Sequence, residues 1–190
     1  MKGKTLGLLL LALLLGGLFF AWKPLNAIYL SGVPAQLENE YLLIPTGASF
    51  EQVMDSLKAG RFIDNEDGFR WLAEKMKYKR EVMRNGRYQI EPGWTNRELI
   101  QHLRAGKQAP VNVVLNNERL PEEVAGQVAR FLEIDSITLL NAFRDPALLA
   151  EIGYTPETLI SLFIPNTYQM FWNTEAKGFV LRMVKEHDAF

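Results

Sequence analysis

The 190-residue chain has no cysteine and only two histidines, His102 and His187. Disulfides and thiol nucleophiles are therefore excluded, and a structural zinc site would need other ligands. There is no G-x-S-x-G turn, and Ala105-Gly106-Lys107 lacks the earlier glycine of a phosphate-binding loop. No His/Asp/Glu grouping has metal-ligand spacing, so no metal or cofactor is implied. An excess of charge is missing too: 21 basic and 22 acidic side chains leave a formal net charge of −1. Lys2, Lys4 and Lys23 belong to an N-terminal segment without acids, and without them 18 basic and 22 acidic residues remain. No basic patch points to nucleic acid.

What the N-terminus does have is a long apolar run. Leu6 to Trp22 is uninterrupted by charge and dominated by leucine. With Thr5 it gives about 18 helical positions, roughly 27 Å at 1.5 Å per residue, enough to span a hydrocarbon core. That exceeds the apolar region of an ordinary cleaved signal, and Leu25-Asn26-Ala27 is a poor cleavage site. The expectation is an uncleaved transmembrane anchor over residues 1–22. Lys2 and Lys4 keep the N-terminus cytoplasmic by the positive-inside rule, so the bulk of the chain faces the extracytoplasmic side. Residues 23–40, with Pro24, Gly32 and Pro34, read as a linker, with a short strand near 27–30.

An internal repeat follows. Ile44-Pro45-Thr46-Gly47-Ala48-Ser49-Phe50-Glu51-Gln52-Val53, ending at Leu57-Lys58-Ala59-Gly60, is matched by Ile90-Glu91-Pro92-Gly93-Trp94-Thr95-Asn96-Arg97-Glu98-Leu99, ending at Leu103-Arg104-Ala105-Gly106. Each copy reads as strand, glycine turn and helix. Ser49/Gln52 and Thr95/Glu98 have capping-box spacing. Val53/Leu57 and Leu99/Leu103 form an apolar stripe at i, i+4, and Gly60 and Gly106 stop the helices. Phe69–Met76 reads as a further helix, and Tyr88–Ile90 as the second strand. A looser third copy begins with the strand 111–115, a turn at Asn116-Asn117-Glu118-Arg119 and a helix from Pro121. Helices are expected at 136–143, 147–152 and 179–187, the last with Val180, Leu181 and Val184 open to water unless later residues cover them. His102 reads as a solvated histidine on a helix surface.

The segment Leu162-Phe163-Ile164-Pro165-Asn166-Thr167-Tyr168, followed by Phe171-Trp172-Asn173, concentrates aromatic faces and amide or hydroxyl groups. Such pieces bind sugars, but they equally form a turn that feeds aromatics into a core. Glu157, Glu175 and Glu186 lie nearby as the carboxylates available for acid work on a glycosidic bond, and each reads more simply as a solvated surface acid.

Anchor, strand–helix repeat and the Leu162–Tyr168 block, in that order, resemble the YceG-like endolytic murein transglycosylases, the MltG family. The resemblance covers essentially the whole chain. It implies an α+β architecture: an N-terminal transmembrane helix, a LysM-like strand–helix repeat module over 41–108, then the first part of an α+β catalytic domain over 109–190. It implies a bacterial inner-membrane lytic transglycosylase. Such an enzyme cleaves between N-acetylmuramic acid and N-acetylglucosamine inside nascent strands and leaves 1,6-anhydro ends, without a cofactor. Its partners would be peptidoglycan glycan strands and cell-wall synthases. Phe163, Asn166, Thr167, Tyr168 and Trp172 would shape or line one wall of the substrate cleft, with Asn166 and Tyr168 foremost and Phe163 equally suited to the core. The family's catalytic glutamate sits in an A-S-I-[VI]-E type segment tens of residues after this block, and nothing in residues 1–190 matches it. The expected acid therefore lies beyond residue 190, and the chain alone is expected to be inactive. The alternative is a non-catalytic, anchored peptidoglycan-binding or adaptor protein.

Overall fold

The computed structural model describes residues 32–190, together with Gly16. The expected anchor, except Gly16, and the strand near 27–30 lie outside the described residues. Among the described residues no helix is long and apolar enough to cross a membrane. The chain divides into two compact units at Lys107/Gln108, each a small mixture of helices and antiparallel strands.

In the first unit the order is β1 (Tyr41–Ile44), α1 (Phe50–Ala59), α2 (Glu66–Lys75), β2 (Gly86–Gln89) and α3 (Asn96–Ala105). The repeat does not build two separate modules. Its strands pair with each other, antiparallel, with Leu42 opposite Tyr88. One face of this ribbon and the apolar stripes of the helices enclose a single core around Ile44, Met54, Leu57, Phe69, Tyr88 and Leu99. Both capping boxes form: Ser49 and Thr95 accept from the N3 backbone, while Gln52 and Glu98 reach back.

The two glycine stops differ. Gly106 is left-handed at φ 71°, the conformation that favours glycine. Gly60 has φ −83°. There a Cβ would stand 2.3 Å from the Phe62 ring, so the glycine makes room for a buried aromatic, and the left-handed residue is Arg61 at φ 53°.

Residues 32–40 are stitched onto this unit, unlike the linker expected over 23–40. The Gly32 and Val33 amides donate to the Trp94 carbonyl at 2.9 Å, and Gly93 N–H donates to Pro34 at 3.1 Å. Val33 is fully buried. Proline and glycine signal broken regular structure; they do not exclude a segment from a core.

The second unit runs β3 (Val111–Leu115), α4 (Pro121–Val128), α5 (Ser136–Phe143), α6 (Pro146–Ile152), a 3₁₀ turn (Leu159–Leu162), β4 (Asn166–Met170) and α7 (Ala176–Ala189). β3 and β4 pair antiparallel. Val113, Leu115, Tyr168 and Met170 face a core shared with Val124, Leu139, Phe143 and Phe179. α7 inserts Phe179, Val180 and Met183 into that core. Side chains of this kind contribute roughly 1.5–3 kcal/mol each on full burial. Val180 is therefore covered rather than open to water, while Leu181 is 38% exposed.

Candidate functional site

The Leu162–Trp172 segment is anchored from within. The Phe163 ring lies 5.1 Å from that of Phe143 and stacks on Phe179 at 6.1 Å and 19°. Phe163 thus belongs to the core and does not line a cleft. Pro165 ends the turn, and the chain extends into β4. There the two-residue alternation of a strand sends Tyr168 and Met170 inward and Thr167 and Gln169 outward.

Tyr168 was expected to offer its face to a ligand. It is 4% exposed, and its hydroxyl donates to the Ile164 carbonyl at 2.6 Å. Burial, with help from the Glu186 carboxylate, pushes its pKa up. Tyr168 fastens the strand to the turn that precedes it. The sequence block signalled aromatic content correctly, but the phase of the strand decides which residues emerge.

Asn166 and Thr167 do emerge. Both are exposed, and Asn166 Oδ1 accepts from the Thr167 amide at 2.8 Å. Asn166 pairs with Leu115 and Thr167 with Val114. The outer face of the ribbon is therefore Asn112 and Val114 on one strand, Thr167 and Gln169 on the other. Asn116 continues directly from Leu115, so Asn166 and Asn116 share one end of the ribbon.

At the other end a tight turn presents Phe171, which is 54% exposed. Thr174 closes this turn, its N–H and hydroxyl both donating to the Phe171 carbonyl at 3.0 and 2.6 Å. An open groove of about 320 Å³ surrounds the ring, lined by Pro110, Gln169, Met170, Phe171, Thr174 and Arg182. Trp172 is half-buried, and its carbonyl accepts from the Glu133 amide at 2.8 Å. Phe171 and Gln169 were not among the expected site residues. The signal was there: counting by twos from buried Tyr168 places Gln169 on the outer face, and the turn then exposes Phe171.

This surface resembles a sugar-binding strip: an exposed ring for the apolar face of a pyranose, with amides and a hydroxyl for its polar edge. It does not resemble an acid centre. The four carboxyls with displaced pKa values, Glu66, Glu98, Asp135 and Glu157, are all held below their ordinary range. The largest cause is the Arg70 guanidinium for Glu66, and the Thr95, Thr138 and Thr155 donors for the other three. Glu157 and Glu175 are exposed, and Glu186 is ion-paired with Arg182 at 2.6 Å. Among the described residues no cluster of His, Asp and Glu could hold a metal ion.

Against known proteins, the family model described as "YceG-like family" matches residues 42–190. A crystal structure of a yceG-like protein from Listeria monocytogenes is 19% identical, with a TM-score of 0.40, and the match covers 78% of this chain and 54% of that one. The chain thus spans about half the length of that solved protein. No curated protein matches it.

Proposed function

Since this chain belongs to the YceG-like family, we propose that it takes part in cutting peptidoglycan as a membrane-anchored lytic transglycosylase of the endolytic kind. The anchor of residues 1–22 holds it in the bacterial inner membrane. The LysM-like repeat of 41–108 docks nascent glycan, and cell-wall synthases are its neighbours. The polar and aromatic strip on β4 forms one wall of the cleft, through Asn166, Thr167, Gln169, Phe171 and the half-buried Trp172.

The chemistry requires one carboxylic acid. Protonated, it donates to the oxygen between N-acetylmuramic acid and N-acetylglucosamine. As a carboxylate it then takes the proton of the muramyl C6 hydroxyl, which attacks its own anomeric carbon and closes the 1,6-anhydro ring. No water is consumed. Such an acid must keep its proton near neutral pH, so its pKa must be raised. The displaced carboxyls of the described residues shift the opposite way. In this reading residues 32–190 bind the glycan, and none of these four carboxyls is the reacting acid.

The outward phase of Thr167 and Gln169, with Asn166 exposed at the strand's first position and Phe171 at the turn that follows, is the observation that carries this reading. Co-sedimentation of the whole chain with purified sacculi tests it. Binding is expected, weakened about tenfold, or ~1.4 kcal/mol, by Asn166→Ala or Phe171→Ala. A parent chain that stays in the supernatant overturns the reading. The second reading is an anchored adaptor that binds glycan without cutting it. Release of 1,6-anhydro ends from the sacculi separates the two.

A further inference from the structure

Helix α4 carries a glycine that nothing around it demands. Gly126 lies in the interior of an eight-residue helix. It is not among the glycines of positive φ, and a Cβ added there meets nothing within 4 Å. A glycine at such a position is less favourable than alanine by about 1 kcal/mol. Gly60 has a buried ring as its reason and Gly106 a left-handed backbone; Gly126 has neither.

What lies over Gly126 is open space. It lines a groove of about 410 Å³ between the β3–α4 turn and α4, together with Asn116, Asn117, Glu118, Glu123, Gln127 and Arg130. A side chain at 126 would project into that space.

Three of the groove's polar side chains are held in place by backbone. Glu123 Oε2 accepts from the Arg119 and Leu120 amides at 2.8 and 3.3 Å. Glu118 Oε1 accepts from the Asn116 amide at 3.1 Å. Gln127 Nε2 donates to the Val114 carbonyl at 3.0 Å. Arg130 enters none of the ion pairs among the described residues.

Side-chain amides both donate and accept, which suits an N-acetyl group. Carboxylates accept from hydroxyls. A guanidinium without an acidic partner suits a carboxylate. A bare backbone lets a sugar ring approach closely. Resting on the peptidoglycan reading above, we propose that this groove is a subsite for one muramyl residue of a glycan strand. The sugar's N-acetyl and hydroxyl groups lie over Gly126 and the amides, and its acidic substituent pairs with Arg130. The subsite adjoins the Asn166 end of the ribbon, so a strand lying along β4 reaches it. The carboxylate has two sources, the lactyl group itself or the stem peptide attached to it.

Calorimetric titration of the whole chain in detergent tests the assignment. The probes are a disaccharide–tetrapeptide muropeptide, an amidase-stripped glycan strand bearing free lactyl carboxylates, and an N-acetylglucosamine tetramer bearing none. At least one acidic probe is expected to bind tenfold or more tightly than the neutral tetramer. The better of the two identifies which carboxylate is read. Arg130→Gln should abolish the preference. Gly126→Leu fills the groove and raises helix propensity, so it should lose tenfold or more in binding with no fall in melting temperature. Equal binding by Gly126→Leu and the parent overturns the subsite while leaving the peptidoglycan reading intact if the parent still binds sacculi. A parent that binds neither sacculi nor any probe overturns both. Acidic probes no better than the neutral tetramer overturn the role of Arg130.

Discussion

The Tyr168 hydroxyl donates to the Ile164 carbonyl at 2.6 Å, across the turn that contains Pro165. The bond ties the first inward residue of β4 to the end of the preceding turn. It fixes the phase of the strand, and thereby which residues meet solvent.

Removing only that hydroxyl tests the assignment. Tyr168→Phe keeps the ring in the core and leaves a carbonyl unpaired, which costs about 1 kcal/mol. Urea unfolding should register the loss, while sacculus binding stays at the parent level. Loss of binding with unchanged stability would return Tyr168 to the ligand surface.

Glycines 60 and 126 should respond to alanine with opposite signs. At 60 the new Cβ would meet the Phe62 ring at 2.3 Å. Phe62 is 2% exposed and has little room to retreat, so overpacking should cost about 1–3 kcal/mol. At 126 the methyl meets nothing, and the helix should gain up to about 1 kcal/mol. Paired denaturation curves check both.

His102 makes the first unit sensitive to acid. Its ring packs 4.9 Å from Trp94 and edge-on to Tyr88 at 6.0 Å, unlike the solvated histidine the sequence suggests. Burial lowers its pKa; Lys107 acts in the same direction and Glu91 opposes them. The unfolded chain then binds a proton more readily than the folded one. Stability is fully present above about pH 6.5 and is lost as pH falls towards the lowered folded value. Denaturation at pH 7.5 and 5.5 should show the parent weakening on acidification, and His102→Gln weakening less.

The capping box at the start of α3 should be separable from its helix. The Glu98 amide donates to Thr95 Oγ1 at 3.2 Å, and Glu98 Oε2 accepts from the Thr95 amide at 2.8 Å. Thr95→Ala removes one arm and should cost about 0.5–2 kcal/mol. Amide exchange should quicken first in the opening turn of α3. Uniform quickening across the unit would mean the cap holds more than its own helix.

Much of this fold is legible in the sequence where local chemistry dictates it. Ser49/Gln52 and Thr95/Glu98 mark two helix starts, Pro121 a third, and the strand at 111–115 stands at its expected limits. The antiparallel pairing of the repeat's strands depends on a core that forms only in three dimensions, and no local pattern states it. β4 is harder to see. Its exposed Asn166, Thr167 and Gln169 and the preceding Pro165 resemble a turn, and only its partner β3 makes it a strand. Without the strand's phase, Tyr168 reads as a surface ring and Phe171 drops out of the expected site. The groove over Gly126 has no sequence motif at all, because a glycine signals it only once the emptiness around it is visible.

The register Val111 opposite Met170 and Leu115 opposite Asn166 also bears on how the protein comes into being. A chain made from its N-terminus completes the β1–β2 pair when Gln89 emerges. β3 must then wait, its inward Val113 and Leu115 uncovered, until the ribosome has released β4. Closing so long a loop is slow compared with forming helices. The first unit should therefore be folded before the second has any sheet, and the interval is when nascent chains are most exposed to aggregation and to chaperones.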